Sequence, residues 1–179
     1  MTNMLIEENR EYGIDCSKAC WKTDEIHYQY QAVRLHLLKD VDFVIETEDD
    51  LIVVEYKNSM IRGAASRESF NPGDDKTLNA VVRKYYDSLH YLTLMGKLKP
   101  KRYVYVVEAK NSDAVMRSRL RDRISKELPF ALQNNIGGNI RLIESIDVLS
   151  ISEWNAHDRF GKFPFVKLGA AETTTTSKE

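Results

Sequence analysis

Across residues 40–58 the apolar and polar positions recur, break and resume in a way that two adjacent strands explain. Val41, Phe43 and Ile45 occupy alternate positions, the segment Thr47-Glu48-Asp49-Asp50 interrupts them, and Leu51 to Val54 follow as an apolar, largely β-branched run. A turn centred on Glu48 and Asp49 sets the register: residues whose numbers sum to 97 face each other, so Asp42 lies opposite Glu55 and Asp40 opposite Lys57. Opposed residues share a face of the sheet with Cβ atoms about 5 Å apart, and Glu55 and Lys57 share it because strand side chains repeat every two residues. The hairpin thus gathers two carboxylates and an ammonium.

The remaining pattern predicts the surrounding elements. Residues 3–12 read as a short helix with Met1, Leu5, Glu8 and Tyr12 on one face, which makes Glu8 an inward-facing carboxylate. Residues 13–25 read as an irregular connection. Residues 26–36 alternate well enough for a strand that completes a three-strand meander, with Glu25 at its start as a second candidate acid. A loop follows over 58–75, with Gly63, Asn71-Pro72-Gly73, Arg62 and Arg67, and its place beside the hairpin suits a substrate-contacting flap. Residues 76–96 carry apolar positions at helical spacing from Leu78 to Met95, with Gly96 as the stop and with Lys76, Arg83 and Lys84 available for contact with a polyanion. A strand over 102–108, a helix over 112–128, a turn over 134–139, a strand over 141–146 and a short helix over 150–157 with Trp154 turned inward complete the order. These elements predict one α/β domain over residues 1–168, a mixed central sheet flanked by helices, followed over 169–179 by a disordered tail without core-forming residues.

Charge at the hairpin changes the picture from fold to chemistry. Acids and lysines are seldom interior unless paired, and two carboxylates this close repel, so one takes a proton or a cation neutralises both. Hard oxygen donors suit magnesium, or manganese, held by one or two carboxylates together with a phosphate. Lys57 then orients, or helps to deprotonate, a water that attacks that phosphate. The plainer alternative is an edge hairpin laced by cross-strand salt bridges.

The residues concerned, Asp42, twelve intervening positions and then Glu55-Tyr56-Lys57, resemble the motif of the PD-(D/E)XK nuclease superfamily, which includes restriction endonucleases and Holliday-junction resolvases. The resemblance covers roughly residues 1–108 as a pattern of elements and is specific only at the hairpin. It implies a restriction-endonuclease-like core of helix, three-strand antiparallel meander, helix and strand. It further implies that Asp42, Glu55 and the carbonyl of Tyr56 bind magnesium, and that Lys57 acts in catalysis. Members often carry a glutamate on the first helix, for which Glu8 is the best match here. No proline precedes Asp42, as in many members.

Composition adds two points. The net charge of −1 conceals a division: residues 1–56 hold thirteen acids against five Lys or Arg, whereas residues 57–126 hold sixteen Lys or Arg against seven acids. A basic centre beside an acidic hairpin suits a phosphate-backbone binder, although such runs also cover solvated helix faces. Cys16 and Cys20, spaced C-x3-C, match structural zinc motifs poorly and read as small thiols, and His27, His36, His90 and His157 are scattered. Without an eighteen-residue apolar run or a basic-apolar leader the chain is expected in the cytoplasm and away from membranes. The expected activity is metal-dependent endonuclease or exonuclease hydrolysis of DNA, with a homodimer suited to cutting two strands. The alternative is a nucleic-acid-binding or protein-interaction module of the same fold that does no chemistry.

Overall fold

The computed structural model describes residues 3–60 and 70–169. Arg62 and Arg67 of the expected flap, and the expected tail beyond Gly169, lie outside the described residues.

The hairpin forms in the predicted register. Strand β4, Phe43–Glu46, pairs antiparallel with β5, Leu51–Asn58, through Phe43 with Val54, Val44 with Val53, Ile45 with Ile52 and Glu46 with Leu51. Each pair sums to 97, because Thr47 fixes the turn: its hydroxyl accepts from the N–H groups of Asp49 and Asp50 and donates to the Asp50 carboxylate. Helix α2, Asp75–Leu94, starts at an Asp74 cap whose carboxylate accepts from the Thr77 N–H, and ends before Gly96, whose positive φ of 68° suits glycine. Strand β6, Lys101–Glu108, then lies parallel to β5. Helix α3, Ala114–Glu127, leads on to strand β7, Ile143–Leu149, parallel to β6, and to α5, Ile151–Ala156, opened by a Ser150/Glu153 capping box.

Four expectations are corrected N-terminal to the hairpin. Residues 3–12 are not a helix: β1, Met4–Ile6, pairs antiparallel with β2, Tyr12–Asp15. The turn between them places Arg10 at a φ of 59°, and the buried Glu7 carboxylate accepts from the N–H groups of Asn9, Glu11 and Tyr12. Residues 13–25, expected to be irregular, include part of β2 and β3, Trp21–Thr23. β3, not residues 26–36, completes the meander by pairing with β4. Residues 26–32 form α1, Ile26–Ala32, in which the alternation Ile26, Tyr28, Tyr30 misleads: Ile26 and Tyr30 are buried four apart, whereas Tyr28 is 68% exposed. The predicted turn at 134–139 starts late, because α4, Phe130–Ile136, runs into it and ends at Gly137, where φ is 65°.

The sheet β3-β4-β5-β6-β7 is mixed, antiparallel on one side of β5 and parallel on the other. Alternate residues serve two cores. Val44, Leu51, Val53, Tyr103 and Tyr105 meet the helices through Leu78, Val81, Tyr85, Leu120 and Ile124. Phe43, Ile45, Ile52, Val54 and Tyr56 meet a three-stranded sheet, β1-β2-β8 (β8 being Phe165–Lys167), and Trp154 of α5. Buried on both faces, β5 carries Glu55 onto the helix side by simple alternation. The class is therefore α/β with helices flanking a mixed sheet. Among the described residues, no helix is long and apolar enough to cross a membrane.

Candidate functional site

Helix α2 fixes the entry to the hairpin. Its Asp87 carboxylate accepts from the Lys39 N–H at 2.9 Å, its Asp87 carbonyl accepts from the Tyr30 hydroxyl, and its Ser88 hydroxyl accepts from the Val41 N–H at 3.0 Å. With residues 39–41 held, Asp42 stands one position before the start of β4, and its carboxylate accepts from the Tyr56 N–H at 2.7 Å. Asp42 thus faces Glu55, as the register requires.

Between the two acids lies a group that the sequence reading assigned elsewhere. The Lys84 ammonium donates to both oxygens of Glu55, at 2.8 and 2.9 Å, and stands 3.9 Å from Asp42. Lys84, expected on a surface that meets nucleic acid, is instead the counter-ion of the carboxylate pair. A signal was present: Lys84 falls three residues after Val81 and four before Ser88, inside the buried stripe of α2. Burial works against its charge, but Glu55 and Asp42 outweigh that and hold its pKa above the ordinary lysine value.

One ammonium does not balance two acids. Burial, and then the neighbouring Asp42, push Glu55 up to about 8 despite Lys84. Asp42, a third of whose side chain is open, is also raised by desolvation, with Lys84 and the Tyr56 N–H pulling the other way. Two hard oxygen donors this close, one of which holds a proton near neutral pH, fit a divalent cation that displaces that proton. Among the described residues, however, no group of three or more His, Cys, Asp or Glu gathers to hold a metal by itself. A cation here would rest on Asp42, Glu55 and backbone or water oxygens, and would compete with Lys84.

The pair opens into a cleft of about 690 Å³ that Lys57, Lys39, Glu8, His27 and Tyr28 also line. Lys57 is exposed, its ammonium 5.6 Å from the centre of the Phe70 ring, and its charge weakly opposes the desolvation that raises the pKa of Asp42. Glu8 reaches the cleft from the β1–β2 turn instead of from a helix, and is exposed. Tyr56 contributes its backbone on this side, while its ring stacks on Phe165 at 5.4 Å in the other core. His27 and Asp40, unpredicted as a pair, stand 3.1 Å apart on the rim, and the far nitrogen of the imidazole lies 2.6 Å from the Gln31 amide.

The rest of the predicted basic surface is dispersed. Arg83 donates to Asp87 and to the Leu37 carbonyl, and Lys76 is exposed at the start of α2, outside the cleft lining. Part of the charge division noted in the sequence is internal: Lys97 and Lys99 bind Glu46, Arg102 binds the buried Asp50, and Lys84 binds Glu55. These four basic residues thus neutralise acids of the hairpin.

Fold and site together define an α/β protein whose mixed sheet ends in a carboxylate and lysine cleft. No protein-family model, no curated protein and no solved structure matches the chain, so the site is read from its own chemistry.

Proposed function

We propose that the chain is a metal-dependent nuclease of PD-(D/E)XK type that hydrolyses phosphodiester bonds in DNA. The observation that carries this reading is the side-by-side placement of Asp42 and Glu55, incompletely neutralised by Lys84, with Lys57 two residues further along the same face of β5 at the mouth of a cleft. The order of the antiparallel meander, α2 and the parallel β6 supports it as well. The core departs from the expected order in having β1 and β2 before the meander and α1 between β3 and β4.

Asp42, Glu55 and the Tyr56 carbonyl would hold magnesium or manganese, which when bound supplies positive charge for the phosphoryl oxygens. The Lys57 ammonium orients the attacking water and balances charge at the phosphate. Asp42 is aimed by the Tyr56 N–H, which holds one of its oxygens. A cation held there near neutral pH would displace the proton that Glu55 holds, so its binding would release about one proton. Incubation of the protein with DNA and magnesium or manganese should give cleavage that Asp42→Asn and Lys57→Met each reduce by at least a hundredfold, with circular dichroism unchanged. Cleavage that survives both substitutions would refute the assignment.

A second reading is favoured by one observation, the two-point grip of Lys84 on Glu55. In a binding module that does no chemistry, Lys84 is a permanent counter-ion. Calorimetry with magnesium then shows neither binding nor proton release.

A further inference from the structure

We propose that the cleft contains a stacking subsite for an unpaired nucleobase, built on Tyr28, and that the substrate or ligand is therefore single-stranded, frayed or flipped nucleic acid. The inference rests on the nucleic-acid reading above and adds the substrate class.

Four observations lead to it. The carboxylate pair is recessed, with Glu55 buried, so a reacting phosphate has to enter the cleft. A volume of about 690 Å³ is that of a small-molecule site, large enough for a nucleotide. Nucleobases inside a duplex reach such sites only by leaving the stack.

Tyr28 lines this cleft with 68% of its surface exposed, although its α1 neighbours Ile26 and Tyr30 are buried in the core. Its contact with His27 is edge to face, the ring centres 5.9 Å apart. His27 is itself fixed between Asp40 and Gln31. A rigid aromatic ring of this kind meets a base with little loss of conformational freedom.

The charges on the rim make the same point. Lys39 and Lys57 offer phosphate contacts, but Glu8, Asp24 and Asp40 stand on the same lining. Backbone attraction alone is therefore a poor way to hold a strand here, whereas stacking is indifferent to those acids. The site thus favours a contact directed at the base.

The test uses the full chain carrying Asp42→Asn, so that the probe is not cut, and the fluorescence anisotropy of a short fluorescein-labelled DNA single strand of mixed sequence. Tyr28→Ala should weaken binding roughly five- to a hundredfold, and Tyr28→Phe should bind like its parent. Because tyrosine releases no counterions, the salt dependence should keep its slope in Tyr28→Ala, whereas Lys57→Met should make it shallower by about one charge. Blunt duplex should bind more weakly and without regard to Tyr28. Equal single-strand affinity in the Tyr28→Ala variant and its parent, or no single-strand binding, overturns the proposal. Cleavage by the otherwise wild-type protein, measured in parallel, separates the two readings. Asp42-dependent cleavage with no role for Tyr28 removes the subsite and keeps the nuclease. Tyr28-dependent binding without cleavage keeps the subsite and removes the nuclease.

Discussion

Replacing Glu55 by glutamine should flatten the pH dependence of stability. Burial, reinforced by Asp42, raises the Glu55 carboxyl from 4.5 to about 8 in the folded protein, while the unfolded chain keeps the ordinary value. Between those values the folded state holds a proton that the unfolded state has released. Stability therefore falls as pH rises through this window, by about 1.4 kcal/mol per pH unit, and the full penalty above the folded pKa is about 5 kcal/mol. From about pH 6 to about pH 8 the loss is about 2 kcal/mol, which for a chain of this length lowers Tm by roughly 4–8 °C. Glutamine has nearly the same shape and never ionises, and Lys84 retains Asp42 at 3.9 Å. Urea unfolding of both proteins at several pH values in this range gives the comparison, and groups that titrate in both cancel in the difference. Curves that run parallel would refute the claim that an incompletely neutralised, buried Glu55 sits at the site.

Two further predictions concern the frame that positions the cleft. Asp50 is buried at the turn of the hairpin and accepts from Arg102 and, at 3.0 Å, from Arg159. Asp50→Ala leaves both guanidinium groups short of a partner and should cost about 3 kcal/mol in urea unfolding, the low end of the range for a broken buried pair because Arg159 is partly exposed; a loss under about 1 kcal/mol would show that this pair does not hold the turn. Gly161 packs so closely on α5 that an added Cβ would lie 2.5 Å from the Asn155 carbonyl oxygen. Gly161→Ala should therefore displace this segment and lower Tm by several degrees, and an unchanged Tm would contradict the close approach.

How much of the site was legible depended on how local its causes were. The register of β4 and β5 follows from a short turn whose Thr47 hydroxyl and Asp50 carboxylate belong to the hairpin itself, so Asp42 and Glu55 were placed opposite each other from the sequence. The long α2 and the apolar β6 announce themselves by period and composition. Residues 3–12 were misread because β1 is only three residues long and its partner β2, held on its other edge by β8 about 150 positions further on, has no alternation of its own to announce it. Residues 26–36 were misread because helix and strand periods both suit so few apolar positions, and burial of Ile26 and Tyr30 against the helix-side core chose between them.

The sequence by itself determined the hairpin, its register and the presence of two acids and a lysine on one face of the hairpin, because these depend on neighbours a few residues apart. Tertiary structure decided what surrounds them. It brought Lys84 of α2 onto Glu55, set the acidic hairpin against the basic residues that follow it, and hung Tyr28 and His27 over the cleft. The physical reason is that a counter-ion is chosen by distance in space, and the distance from residue 84 to residue 55 exists only once α2 has packed on the sheet.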